Sequence, residues 1–247
     1  MKITYIACRF TYLKIMKYVL IILFVKIALA FCHDKLLENT GIITIATGGY
    51  NANDLTKSLR KNGKWTGNIY IYSDKCAPKI NDTVTFEVPE ITKSPLESKI
   101  FKMNILNETK EEYILFLDSD IKVNKPMVSF FSQLEKFKDS CDAYMPHDMW
   151  YSKKFKFNAG IIYVKRNKSE NFLNLWKKYI LNKSYKGNKD QPALKYIIEN
   201  NLANVCLIPD NIVYYLPDTL HKVSEFKSPL FTHYLKYKKN FKKCIYI

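Results

Sequence analysis

Tyr113-Ile-Leu-Phe-Leu-Asp-Ser-Asp120 is the stretch on which the fold turns. Tyr113 to Leu117 carry no charge and read as a short strand buried on both faces, and two carboxylates follow at once, separated by one small residue. Wholly apolar strands of this kind belong to parallel sheets covered on both sides, in which ligands sit outside the carboxyl ends of the strands. Asp118 and Asp120 therefore stand where a ligand is met. Two acids flanking Ser119 suit one hard divalent cation that keeps positions open for phosphate oxygens, and the competing reading is a solvated loop.

The pattern on either side agrees with this strand. Ile42 to Thr47 is a β-branched run ending at Gly48-Gly49, followed by a helix over Leu55 to Asn62 that Asn53 or Asp54 would cap. Strands are expected at Asn68 to Asp74 and Thr83 to Val88, and helical spacing runs from Glu97 to Glu108. Further on, a helix is expected at Val128 to Phe137 and strands at Ala143 to Met145 and Phe157 to Val164. Helices follow over Glu170 to Leu181 and Gln191 to Asn200, then strands at Cys206 to Ile208 and Pro229 to Tyr234. Such alternation predicts an α/β fold with a mostly parallel central sheet and helices on both faces, occupying residues 41–247 as a single domain. None of the seven glycines forms a GxGxxG or P-loop pattern, so dinucleotide binding and P-loop phosphate transfer lack their fingerprints.

Charge gives a narrower message than its size suggests. The 247 residues carry a formal +16, yet of 39 basic residues only Arg9, Arg60 and Arg166 are arginine. Nucleic-acid recognition favours the planar guanidinium fork, so the excess of lysine argues against it and suits an anionic small substrate or membrane surface. At the N-terminus, Tyr18 to Cys32 is apolar apart from Lys26 and follows Lys2, Arg9, Lys14 and Lys17 with no acid. Residues 1–30 thus read as a signal peptide, with Ala28-Leu-Ala30 as its cleavage site, or as a short signal anchor of a type II membrane protein. Either delivers the domain to the secretory pathway lumen (Golgi or ER) or outside the cell. Losing the leader takes five positive charges from +16 and leaves +11. Four sequons, at Asn81, Asn107, Asn167 and Asn182, are glycan acceptors in such a lumen or products of chance. Cys32, Cys76, Cys141, Cys206 and Cys244 have no CxxC spacing, which disfavours zinc and leaves disulfide pairing open.

Four motifs in one order resemble those of GT-A-fold glycosyltransferases, especially family 8 and its relatives: Leu115 to Ile121, Phe157 to Val164, Asp190-Gln191, and His233 with Lys239 six residues on. The resemblance covers roughly Gly41 to Lys239. It implies a metal-dependent glycosyltransferase that moves a sugar from a nucleotide-sugar donor, a UDP-sugar favoured, to a glycan, glycoprotein or glycolipid acceptor, with retention of anomeric configuration. Asp118, Asp120 and His233 would then hold Mn2+ or Mg2+. Ser119 would approach the donor ribose and Lys239 the diphosphate. Ala46, Thr47 and Tyr50 would bind base and ribose, Lys99 would face the donor, and Asn158, Ala159 and Gly160 would approach its sugar. Asp190 would bind sugar hydroxyls and Gln191 would lie beneath the anomeric carbon.

Competing readings stand beside several of these. Asp190 with Pro192 also fits an ordinary helix cap, Asn158 to Gly160 a plain turn, and His147-Asp148 either an acceptor contact or a capped turn. The chain departs from the family pattern at Lys236, Asn240-Phe241 and Pro192, and it lacks an acid near Gly48. Those departures motivate the alternative of a catalytically inactive lumenal binding module. A metal-dependent phosphodiesterase or nuclease is disfavoured, because four histidines supply too few clustered ligands.

Overall fold

The computed structural model describes residues 16–23, 37–47, 50–74, 79–88, 95–134, 140–148, 156–182, 190–209, 212–216 and 229–234. The chain divides into two compact units, Met1–Glu38 and Asn39–Ile247. In the first, residues 16–23 are helical and expose Met16 and Tyr18 through Leu23. Among the described residues no helix is long and apolar enough to cross a membrane. The expected cleavage site at Ala28 to Ala30 lies outside the described residues.

The second unit is built on a seven-stranded sheet in the order β3-β2-β1-β4-β7-β6-β8. Its strands are β1 (Thr40–Ala46), β2 (Ile69–Ser73), β3 (Val84–Glu87), β4 (Tyr113–Leu117), β6 (Ala143–Pro146), β7 (Ile161–Lys165) and β8 (Val205–Ile208). β1 to β4 run parallel, β6 and β8 are parallel to each other, and β7 is antiparallel to both of its neighbours. The central sheet is thus mostly parallel, as the apolar strands imply.

Burial on both sides explains why β4 needs an uncharged sequence. Ile114 and Phe116 share one core with Met103 of α2 (Pro95–Met103), Phe172 and Trp176 of α4 (Arg166–Leu181) and Leu194 of α5 (Asp190–Glu199). The next residue along the pleat faces the other way. Leu115 pairs with Tyr163, whose ring meets Phe130 and Phe131 of α3 (Val128–Leu134). On that other side of the unit, Leu55 and Leu59 of α1 (Asn53–Lys61) are 0% exposed. Each such side chain contributes roughly 2–3 kcal/mol by burial.

Helix α1 corrects the expected cap. Asn53 and Asp54 lie inside its first turn rather than before it, and the Asn51 Oδ1 accepts from the Asn53 N–H at 3.1 Å. Asp54 then complements the positive end of the helix.

A second sheet of three strands, in the order β5-β10-β9, was not legible from periodicity: β5 (Ile121–Val123), β9 (Val213–Leu216) and β10 (Phe231–Tyr234). β10 pairs antiparallel with β5, setting His233 opposite Ile121. This pairing brings a late segment of the chain onto the residues that directly follow Asp120.

Cys141 and Cys206 form a disulfide with a Cα separation of 5.9 Å, resolving one pairing that spacing left open. It staples the entry of β6 to the edge strand β8, where Asp142 and Asn204 also exchange hydrogen bonds. Replacing both cysteines by serine is expected to lower stability by about 2–4 kcal/mol, since the bridge closes a long loop in the unfolded chain. Calorimetry with and without reductant checks this, and a wild type indifferent to reductant would contradict it.

Candidate metal and donor site

Asp118 leaves the carboxyl end of β4 and its backbone N–H donates to the Gly160 carbonyl at 2.8 Å, tying it to the entry of β7. The Tyr234 N–H donates to the Asp120 carbonyl at 3.0 Å, which fixes β10 beside the same loop. As a result the His233 Nε2 stands 3.1 Å from Asp120 Oδ1 and 3.8 Å from Asp118 Oδ2. One ligand atom from each of the three residues lies within 4.8 Å of the others. His233 is buried, while the carboxylates are partly open.

The donor set fits a divalent cation. Two carboxylate oxygens and one imidazole nitrogen suit Mn2+ or Mg2+ better than the thiolate-rich sets of structural zinc. Gly160 provides an independent sign, because a Cβ built there would overlap His233 Cε1 and come within 2.9 Å of Asp118 Oδ2 and of Asn158 Oδ1. Only a residue without a side chain lets these groups close up. Gly160→Ala is therefore expected to weaken Mn2+ binding about 10- to 100-fold by displacing His233 and Asp118. Calorimetric titration of the purified variant reads this, and an unchanged affinity would show that the glycine serves only the turn.

Lys102 is the residue that sequence reasoning missed. It projects from α2 into the unit, 8% exposed, and its ammonium reaches Asp118 Oδ1 at 3.0 Å, the Ala159 carbonyl at 3.0 Å and Asp190 Oδ2 at 3.3 Å. Burial alone would push this lysine down, but the carboxylates of Asp118 and Asp190 outweigh burial and hold it above the usual lysine range. Lys99, singled out from the sequence, sits one turn earlier and pairs with Asp190 Oδ1 at 2.9 Å. Burial works to raise Asp190, yet Lys102 and Lys99 together hold it down at about 2. Asp190 is therefore the centre of a buried ion cluster. Of the described helix amides its side chain takes the adjacent Gln191 N–H, at 3.2 Å, rather than the deeper ones that an ordinary cap would take. Pro192 falls in the first turn of α5, where a missing N–H costs no helix bond.

The other expected residues divide. Asn158 uses its Oδ1 on the Gly160 N–H at 2.8 Å, so the turn reading accounts for that contact while the turn itself borders the metal ligands. Ala46 and Thr47 are buried at the end of β1, beside β4 in the sheet. Tyr50 and Ser119 line a cavity of about 590 Å³, where Lys57 and Lys61 of α1 and Lys122 of β5 outnumber Asp54 and Asp120 by one. Gln191 donates from Nε2 to Asp148 Oδ2 at 2.8 Å, with Asp148 wholly buried. Lys239, Gly48, Lys236 and Asn240-Phe241 lie outside the described residues.

The mostly parallel seven-stranded sheet with helices on both faces is the GT-A fold. No family model and no curated protein matches the sequence. Solved structures do. The glycosyltransferase GlyE of Streptococcus pneumoniae TIGR4 is similar with a TM-score of 0.55 and 14% identity over 81% of this chain. The chain spans 55% of that structure's length. Mouse xyloside xylosyltransferase 1 aligns with a TM-score of 0.54 and 12% identity, covering 80% of this chain and 98% of its own. An active-site mutant of LgtC aligns with a TM-score of 0.53 and 11% identity, covering 79% and 87%. At such identities the likeness is one of fold.

Proposed function

We propose that this chain is a metal-dependent glycosyltransferase that moves a sugar from a nucleoside diphosphate donor to a hydroxyl of a glycan, glycoprotein or glycolipid. The observation that carries the reading is the convergence of Asp118, Asp120 and His233 at the end of the central strand. Mn2+ or Mg2+ held by these three would neutralise the charge that develops on the departing diphosphate. The chain's own groups do the rest. Lys102 holds Asp118 in place through their ion pair, and the Lys99–Asp190–Lys102 cluster fixes the start of α5, which carries Gln191. The cavity at Tyr50 and Ser119 has the size of a nucleoside site and is basic enough to favour an anion.

A UDP-sugar is the first donor to test, and retention is the expected outcome, with Gln191 under the anomeric carbon. The galactosyltransferase LgtC, of similar fold, has been solved in complex with donor and acceptor sugar analogues. A secretory location is supported by the Cys141–Cys206 bridge, which belongs to oxidising compartments, and by the exposure of Asn81, Asn107, Asn167 and Asn182. The deciding experiment screens nucleotide sugars for Mn2+-dependent release of nucleoside diphosphate, followed by NMR of the product anomer. Tight Mn2+-dependent nucleotide binding without any release would favour the inactive module instead.

A further inference from the structure

The contact between Gln191 and Asp148 contains directional information. Asp148 is 0% exposed, and its backbone N–H donates to the Lys156 carbonyl at 3.1 Å beside the bridge between His147 and Phe157. Its position at the end of β6 is thus set by the sheet. Gln191 reaches it from the first turn of α5 and donates from Nε2 at 2.8 Å. A carboxylate accepts hydrogen bonds and does not donate them, so it can hold the NH2 end of an amide and never its carbonyl. Because the amide is planar, fixing Nε2 also fixes Oε1 on the opposite branch.

We infer that Asp148 is a positioning residue that decides which end of the Gln191 amide meets the reacting sugar. This rests on the reading of Gln191 as the group under the anomeric carbon. Asp148 holds back the NH2, whose hydrogens carry the positive end of the dipole, and leaves the carbonyl oxygen as the presented atom. As the sugar–diphosphate bond breaks, its electron pair leaves with the diphosphate and positive charge gathers on the anomeric carbon. A preorganised negative dipole end stabilises that charge, and the flipped amide would oppose it. An aspartate here specifies one orientation, whereas an asparagine of the same shape would permit both.

The chain contains only two glutamines, Gln133 and Gln191, so labelling glutamine side chains with 15N gives two amide pairs to follow. In the wild type the Gln191 NH2 is expected to exchange with water at least about tenfold more slowly than in Asp148→Asn. In nucleotide-sugar turnover, Asp148→Asn is expected to lower kcat about 10- to 100-fold while KM for the donor stays within about threefold. Gln191→Glu sets two carboxylates against each other, and adding Asp148→Asn gives that glutamate an NH2 partner. The double variant should therefore exceed Gln191→Glu in kcat by at least about fivefold, a rescue that a purely structural aspartate would not produce. Equal exchange of the Gln191 NH2 in wild type and Asp148→Asn overturns the inference, as does a double variant no better than Gln191→Glu. If the wild type turns over no nucleotide sugar, the transferase reading fails, and the exchange measurement still decides whether Asp148 holds the amide.

Discussion

Asp120→Asn and Asp118→Ala are both expected to lose Mn2+-dependent turnover by at least about 1000-fold, because each removes an anionic ligand from a three-residue site. Stability should separate them. Asp118 also receives Lys102 at 3.0 Å, so its loss strips a partner from a buried ammonium and should lower the melting temperature. Asp120 instead meets the buried His233 Nε2 at 3.1 Å, a contact that the oxygen of an asparagine can keep. Making it neutral is therefore expected to change the stability of the metal-free protein much less than Asp118→Ala does. Chelation of the wild type should reproduce the activity loss, with Mn2+ restoring the wild type and neither variant. Turnover by Asp120→Asn at the wild-type rate would reject the metal site outright.

Lys102→Met is expected to be the most destabilising single change in the site, at about 3–5 kcal/mol, since it leaves Asp190 buried with one remaining lysine and Asp118 with none. Lys99→Met offers the contrast. Its side chain is 26% exposed, and water compensates much of what is lost, so the cost should be about 1 kcal/mol or less. The pH dependence has a definite sign. Asp190 is held at about 2, below its ordinary 3.8, and its side chain is only 8% exposed. The stabilisation, about 2 kcal/mol, is therefore present above the ordinary value and is lost as pH falls toward the depressed one. The gap in melting temperature between wild type and Lys102→Met should narrow between pH 5 and acid conditions. A gap that stays constant would assign the destabilisation to lost packing instead.

How much of this could be read from residue order depends on how each signal arises. The β4 and β7 strands are legible because burial on both faces demands uncharged residues, and Ile114-Leu-Phe-Leu117 and Ile161-Ile-Tyr-Val164 supply them. Strand β5 has three residues, too few to express any period, and its partner lies far along the chain. Hence the sequence put His233 on an expected strand, Pro229 to Tyr234, without showing which strand it pairs with. Lys99 and Lys102 illustrate a different limit. Both belong to one helix, three residues apart, and only the packing of α2 against the sheet decides that Lys102 is the one driven into the site. The Cys141–Cys206 pairing escaped for the same reason, since it depends on where a second segment ends up.

The β5–β10 pairing makes completion of the cation site a late event in the life of each molecule. The two acids emerge from synthesis long before the histidine that completes the set, and between them the remainder of the sheet must be laid down. A nascent or clipped chain ending before Phe231 would hold two of the three ligands, and full cation affinity would arrive only with β10. Metal loading would then report that the polypeptide has been made and folded at least as far as Tyr234.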